Sequence, residues 1–148
     1  MLDGKSKRGL FGTGVKSKAF LLDTNIIIAY LHGILPVCNL VEKLLLKGKV
    51  QISAITAGEL FSKYEPEELV KIEVLLEKTS CLLVDMVVAR TAGLYRQKFR
   101  KKKKLTLPDC LIAATAKLYN LTLITANIKD FPMKDIEVLH PKNLIKNV

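Results

Sequence analysis

Short apolar runs alternate along the chain with longer segments in which apolar residues recur every three or four positions. The short runs predict five β-strands, at residues 19–22, 50–55, 81–84, 121–125 and 136–139. The longer segments predict helices at residues 26–31, 38–46, 69–76, 87–104 and 105–118. Strands that alternate with helices indicate an α/β fold, in which a mostly parallel sheet of about five short strands carries helices on both faces.

Length and composition fit one ordinary globular domain. The chain has 148 residues, of which 49% are hydrophobic and 26% are charged. Residues 1–18 contain four glycines among basic residues and have no apolar periodicity, so we predict a flexible basic arm there and one folded domain at 19–148. We expect a cytoplasmic protein without a membrane segment, because no apolar run approaches the roughly 18 residues that cross a bilayer and no signal core follows the basic start.

The cysteines and histidines do not have the spacing of a zinc site. Cys38, Cys81 and Cys110 are far apart and lie in apolar stretches, as core cysteines do in a reducing compartment. His32 and His140 are isolated from them and from each other. A metal ion in this protein is therefore expected to have oxygen ligands.

A net charge of +10 creates a positive field that attracts nucleic acid, an anionic membrane or an acidic protein partner. The densest basic stretch lies just before a proline and an acid, at Arg100, Lys101, Lys102, Lys103 and Lys104. Such a stretch could hold an RNA backbone beside an acidic site, or it could be the solvated end of a helix.

Acidic and amide side chains follow several predicted strands, where open parallel sheets place their functional groups. Asp23 comes directly after the first strand, and Glu59 lies in the first turn after the second. Asn127 and Asp130 come just beyond the fourth. Asp109 opens a helix that follows another helix, so only the fold could bring it to the same edge.

Two of these acids also have a purely structural interpretation. Thr56-x-x-Glu59 matches the capping box, in which a Glu side chain returns to a free backbone N–H at the start of a helix. Thr106-x-x-Asp109 approximates the same pattern. The local sequence alone leaves a helix cap and a metal ligand equally open at each position.

Four motifs in order resemble the PIN-domain ribonucleases, in particular the VapC-type toxins of toxin–antitoxin modules. The resemblance covers residues 19 to about 141. The motifs are Asp23 in Leu-Leu-Asp-Thr-Asn, Glu59 in Ile-Thr-Ala-Gly-Glu-Leu, Asp109 in Leu-Pro-Asp-Cys-Leu-Ile-Ala-Ala-Thr-Ala, and Thr125-x-Asn127-x-x-Asp130-Phe131. A single motif is weak support, whereas four in this order are specific.

The resemblance implies a three-layer PIN-like sandwich that cleaves RNA with Mg²⁺ or Mn²⁺. It implies catalytic and metal-binding groups at Asp23, Glu59, Asp109 and, in a fourth position, Asp130 or Asn127. It also implies polar side chains that orient the ligands and the attacking water, at Thr24, Asn25 and Thr125. The partners it implies are the RNA substrate, a second copy of the chain and a small antitoxin protein. The apolar helix at 38–46 could supply the surface between two copies.

The chemistry of phosphodiester cleavage accounts for a cluster of carboxylates. Clustered carboxylates raise one another's pKa, and a hard divalent cation keeps them ionised at neutral pH. The same cation neutralises the charge that develops on the phosphate.

Three other functions fit parts of the same pattern. Asp23-Thr24-Asn25 resembles the start of phosphatases with an Asp nucleophile, but those need a second Asp where this chain has Asn25. A non-catalytic RNA-binding or partner-binding PIN-like module would not need all three acids. A ribosomal RNA maturation nuclease would use the same acids and is distinguished by its genomic neighbours.

Overall fold

A five-stranded parallel sheet forms the centre of the protein, in a computed structural model that describes residues 18–102 and 104–145. The strands are β1 (Phe20–Leu22), β2 (Val50–Ser53), β3 (Ser80–Leu82), β4 (Thr122–Ile124) and β5 (Val138–Leu139). They lie in the order β3-β2-β1-β4-β5, and every pairing within the described residues is parallel. The predicted sheet is confirmed, with strands slightly shorter than the apolar runs.

Helices cover both faces of this sheet. They are α1 (Thr24–Leu31), α2 (Leu35–Leu46), α3 (Ala54–Lys63), α4 (Leu69–Glu77), α5 (Met86–Lys98), α6 (Leu107–Leu118) and α7 (Pro141–Ile145), with 3₁₀ turns at Pro66–Glu68 and Ile128–Asp130. Successive strand residues point to opposite faces, so Leu21 enters the core that α5 and α6 cover. Leu22 enters the core that α1 to α4 cover. The predicted three-layer sandwich is therefore confirmed.

Helix α5 is shorter than predicted. The sequence pattern continued it through Arg100 to residue 104, whereas the helix ends at Lys98 and a turn follows. Phe99 packs against the core and Leu105 is only 1% exposed, so the chain must leave the helix to bury both side chains. The basic stretch consequently belongs to a loop between α5 and α6 and not to a helix end.

The first two helices that follow a strand have caps other than the ones that the local sequence offers, which are Thr24 or Asn25 for α1 and Thr56 for α3. Asp23, and neither Thr24 nor Asn25, caps α1, because its carboxylate accepts a hydrogen bond from the Thr24 backbone N–H. Ser53 caps α3, and its hydroxyl accepts from the Ile55 N–H. Both helices start immediately where their strand ends, which is one to three residues earlier than the local pattern indicated.

The predicted basic arm at 1–18 lies outside the described residues except for Lys18. The Lys18 ammonium forms an ion pair with Glu137 and contacts Thr122 Oγ1 at 3.3 Å, at the start of β4. In the described ranges no single helix is long and apolar enough to cross a bilayer, and the α1–α2 pair, which together would be, is bent by 108°.

Candidate functional site

Asp23 is the centre of the polar cluster at the carboxyl edge of the sheet. It follows β1 directly and is only 7% exposed. One carboxylate oxygen, Oδ1, accepts from the Thr24 backbone N–H at 2.8 Å. The other, Oδ2, accepts from the Thr125 hydroxyl at 2.7 Å and from Asn25 Nδ2 at 3.2 Å. This buried carboxylate is therefore held in one orientation by neighbours from α1 and the end of β4.

Asn25 and Thr125 also form hydrogen bonds that hold the loop after β4 next to Asp23. Asn25 Nδ2 lies 3.2 Å from Thr125 Oγ1, while its Oδ1 accepts from the Ala126 N–H at 3.1 Å. Thr125 Oγ1 accepts in addition from the Asn127 N–H at 3.1 Å. The two side chains thus connect two neighbouring strands at the carboxyl edge of the sheet, where both also contact the Asp23 carboxylate.

Glu59 reaches the same edge from α3. Its Oε1 accepts a hydrogen bond from the hydroxyl of Thr24, the first residue of α1. Thr24 Oγ1 also lies 3.2 Å from the hydroxyl oxygen of Thr56. The capping-box interpretation of Thr56 and Glu59 is wrong, because Ser53 caps α3 and Thr56 is a completely buried residue inside the helix.

Asp109 lies in the first turn of α6, near enough for its charge to act on Asp23. There the capping box is present: the Thr106 hydroxyl accepts from the Asp109 N–H at 3.2 Å, and Asp109 Oδ2 accepts from the Thr106 N–H at 3.1 Å. The Thr106 hydroxyl also donates to Oδ2, at 2.9 Å. Both hydrogen bonds to the Asp109 carboxylate use Oδ2, and among the described residues no hydrogen bond engages Oδ1.

The fold holds the three acids close enough for their charges to interact. Burial raises the pKa of Asp23 above its ordinary value, against the lowering effect of the hydrogen bonds from Thr125 and Thr24. The negative charges of Asp109 and Glu59 raise it further. Acids that lie far apart along the chain therefore interact at one edge of the sheet, which the helix-capping interpretation does not require.

Asn127 and Asp130, the two candidates for a fourth group, lie in the turn after β4. Asn127 is exposed and Asp130 is half-buried at the end of the short 3₁₀ turn. The Asp130 backbone N–H donates to the Asn127 carbonyl at 3.0 Å. Among the described residues the structure gives no hydrogen bond to either side chain, so it does not choose between them.

The acids do not converge tightly in this conformation, since no group of three or more His, Cys, Asp or Glu among the described residues could hold a metal ion as oriented. Glu59 turns toward Thr24, and Asp109 turns toward Thr106. Each nevertheless keeps one oxygen without a hydrogen bond from the described residues. A buried carboxylate with a raised pKa and two acids beside it form a hard-oxygen donor set that suits a divalent cation.

The basic loop lies beside the turn after β4. Lys102 Nζ donates to the Lys129 carbonyl at 3.2 Å, which connects the loop to the segment between Asn127 and Asp130. Arg100, Lys101 and Lys104 are exposed, and Lys103 lies outside the described residues. The loop then leads through the buried Leu105 into the first turn of α6, where Asp109 stands.

Thr56 is the site residue that the sequence did not identify. The local pattern leaves it open as a helix cap, whereas it contacts Thr24 in the folded protein. A helical spacing of three residues places it on the same face of α3 as Glu59, and that spacing was a usable signal. What the sequence lacked was the start of α3, which decides whether Thr56 lies before the helix or within it.

Comparison with known proteins identifies the family. The PIN domain family matches residues 20–136, which is most of the chain. The chain belongs to the PIN-domain family. It is similar to Ribonuclease VapC10 of Mycobacterium tuberculosis, with 31% identity over 114 residues that cover 76% of this chain and 86% of the relative.

Two solved structures share the same PIN fold. A crystal structure of VapBC2 from Rickettsia felis bound to a promoter DNA fragment has a chain with a TM-score of 0.72 and 25% identity, covering 82% of this chain and 98% of that one. A toxin–antitoxin complex from Klebsiella pneumoniae gives a TM-score of 0.70 and 29% identity, covering 83% and 98%. The predicted family and three-layer fold are therefore confirmed.

Proposed function

We propose that this PIN domain is a Mg²⁺- or Mn²⁺-dependent endoribonuclease, and that it is the toxin of a toxin–antitoxin module. The observation that carries the proposal is the position of Glu59 and Asp109 beside the buried Asp23, with Thr24 hydrogen-bonded to both Asp23 and Glu59 and with both acids raising the pKa of Asp23. Those are three acids from three separate elements at the carboxyl edge of a parallel sheet. The similarity to a relative named as a ribonuclease supports RNA as the substrate.

Asp23, Glu59 and Asp109 would hold the cation, with Asp130 or Asn127 completing the set. When bound, the cation would supply Lewis-acid stabilisation of the phosphate and activation of water. Asp23 is the fixed member, because Thr125, Asn25 and the Thr24 backbone already hold its carboxylate. Thr24, Asn25 and Thr125 thereby orient the ligand set.

Arg100, Lys101, Lys102, Lys103 and Lys104 would bind the RNA backbone. The carboxylates repel phosphate, so a positive surface next to them is needed to bring the substrate close. The contact of Lys102 with the Lys129 carbonyl supports this position, because it holds the loop beside the turn that carries Asp130. Backbone contacts of this kind would bind RNA without reading its sequence.

A small antitoxin protein is the proposed regulatory partner, since two similar structures are a VapBC complex and a toxin–antitoxin complex. A groove of about 400 Å³ between α1, α2 and α4 has an apolar lining that includes Leu31, Val70 and Val74, and the charged residues beside it are Lys71, Lys78 and Glu42. An amphipathic segment with acidic side chains would fit this lining and the net charge of +10. A cytoplasmic location is part of the same proposal.

We also propose that the protein is a homodimer. The surface predicted on the helix at 38–46 is largely unsuitable, because α2 buries Leu40, Val41 and Leu44 in the core. Leu46, at the end of α2, stays 87% exposed, but a row of exposed apolar side chains lies along α5, where Met86 is 71% exposed and Leu94 is 60% exposed. Light scattering of the Leu94→Glu variant tests this surface: a monomer supports it, and an unchanged dimer contradicts it.

The decisive experiment is cleavage of single-stranded RNA by the purified protein in Mg²⁺ or Mn²⁺, with and without excess chelator. We expect cleavage that stops in chelator and returns when the cation is restored, because oxygen ligands bind hard cations reversibly. Undiminished cleavage in chelator would contradict the metal mechanism. The Asp23→Asn protein, purified in the same way, is the control for a contaminating ribonuclease.

A further inference from the structure

Thr56 is a buried hydroxyl with a single partner among the described residues. It is completely buried in the first turn of α3, and that partner is Thr24 Oγ1 at 3.2 Å. The residue four positions earlier, Ile52, belongs to β2, so the hydroxyl has no helical carbonyl behind it. A buried hydroxyl is costly unless it forms a hydrogen bond, and this one is aimed at α1.

Proton counting fixes the direction of the hydrogen bonds. A threonine hydroxyl carries one proton, and the Thr24 hydroxyl donates that proton to the Glu59 carboxylate. Thr24 Oγ1 can therefore only accept from Thr56. The resulting chain runs from Thr56 to Thr24 to Glu59, and its first and last members lie three residues apart on the same face of α3.

We propose that Thr56 is a positioning residue of the nuclease site, which acts by fixing the Thr24 hydroxyl as a donor to Glu59. The Thr24 side chain can otherwise rotate among staggered positions and release the glutamate. With the hydroxyl fixed, Glu59 keeps one oxygen bound to Thr24 and leaves the other available for a cation. The inference rests on the proposed function, because it assigns Glu59 to a cation.

Thr115 supplies a matched control in the same protein. It is also a completely buried threonine within a helix, but its hydroxyl donates to the Leu111 carbonyl of its own helix at 2.9 Å. Valine has the shape of threonine without the hydroxyl. Thr56→Val and Thr115→Val therefore make the same chemical change, and only the first interrupts a hydrogen bond that leads to Glu59.

The test measures Mn²⁺ binding to the RNA-free protein by calorimetry, together with thermal melting. We expect Thr56→Val to bind Mn²⁺ about three- to tenfold more weakly than wild type, the range that corresponds to one hydrogen bond. Thr56→Ser should bind close to wild type, because it restores the hydroxyl. Thr115→Val should bind as wild type does, and none of the variants should melt much earlier.

A second comparison asks whether Thr56 acts through Glu59. In a Glu59→Gln background, adding Thr56→Val should leave Mn²⁺ affinity unchanged, because the group that the chain positions is already altered. Equal losses in Thr56→Val and Thr115→Val, or no recovery in Thr56→Ser, would overturn the role of Thr56. RNA cleavage by the wild-type protein tests the proposed function separately. If wild type cleaves RNA and Thr56→Val binds Mn²⁺ as tightly as wild type does, only the role of Thr56 is wrong.

Discussion

Two segments of this protein share the pattern Thr-x-x-acid at the start of a helix, and the fold uses them differently. Thr106 and Asp109 form a capping box at the exposed start of α6. Thr56 and Glu59 do not, because β2 runs directly into α3 and Ser53 takes the cap. The same four-residue pattern therefore produces a cap in one place and, in the other, a hydrogen-bond chain that runs from the buried Thr56 to the exposed Glu59. The position of the helix start relative to the sheet decides between them.

The largest expected effect is the loss of RNA cleavage when either Glu59 or Asp109 is neutralised. We expect Glu59→Gln and Asp109→Asn each to lower the cleavage rate at least about 100-fold, since even residues behind metal ligands cost about 10- to 100-fold. Single-turnover cleavage of RNA measures this. If Asp109→Asn unfolded easily while its folded fraction cleaved normally, Asp109 would be a cap and not a ligand.

Of the two segments, only the one with Asp109 is preceded by the basic loop. Changing the charges of this loop should alter the affinity for RNA. Replacing Lys101, Lys102 and Lys104 with Glu should weaken RNA binding at low salt about tenfold or more, and the salt dependence should flatten by about 0.7 in slope for each phosphate that the loop no longer neutralises. RNA affinity at several salt concentrations measures both effects, with Asp109→Asn as background to prevent cleavage.

A matched control reverses three other lysines at and after the end of α2, Lys43, Lys47 and Lys49. These lysines precede β2, at the edge of the sheet opposite the acids. Their replacement by Glu changes the net charge by the same amount as the replacement of the three loop lysines. This control variant should keep more of its affinity and a steeper salt slope. Equal slopes in the two triple variants would show that the positive field of the whole protein, and not the loop, binds RNA.

A smaller effect should distinguish Thr56 from Thr106, namely the change in the free energy of unfolding when each is replaced by valine. Thr106→Val removes the cap of α6 and should cost about 1 kcal/mol in the free energy of unfolding. Thr56→Val loses a hydroxyl from a buried position without removing a cap, so it should cost less. Urea unfolding in the absence of cation compares the two. A larger cost for Thr56→Val would mean that its hydroxyl serves the helix and not the site.

The smallest expected effect concerns the pKa of Asp23, which Asp109 raises more than Glu59 does. Asp109→Asn should therefore lower this pKa more than Glu59→Gln does. Carboxyl NMR titration of the metal-free protein measures it. The opposite order would place Glu59, and not Asp109, nearer to Asp23.

The same shift predicts how stability depends on pH. The native state holds the proton of Asp23 more tightly than the unfolded chain, so its contribution to stability is complete below the ordinary pKa of an aspartate. It is lost as the pH rises through the raised value. Asp23→Asn should remove this dependence in metal-free protein, which unfolding at several pH values would detect.

Local patterns predicted most of the elements and misplaced their ends. The strands and most of the longer helices correspond to apolar runs and helical spacing, apart from α3, for which the pattern gave no helix of its own. The end of α5 was wrong because burial of Phe99 and Leu105, and not the helical preference of the lysines, decides where the chain turns. Helix ends depend on such tertiary contacts, whereas helix interiors depend mainly on local spacing.

The amino-acid sequence by itself determined the alternation of strands and helices, the positive charge, and the acids that could form a site. Those properties arise from neighbouring residues or from composition. Only the tertiary structure decided that Thr24 binds Glu59, 35 residues away, and that Thr125 binds Asp23, 102 residues away. It also decided that Thr56 contacts Thr24. The physical reason is that a hydrogen bond between distant residues forms only after the parallel sheet has brought the ends of β1, β2 and β4 to one edge.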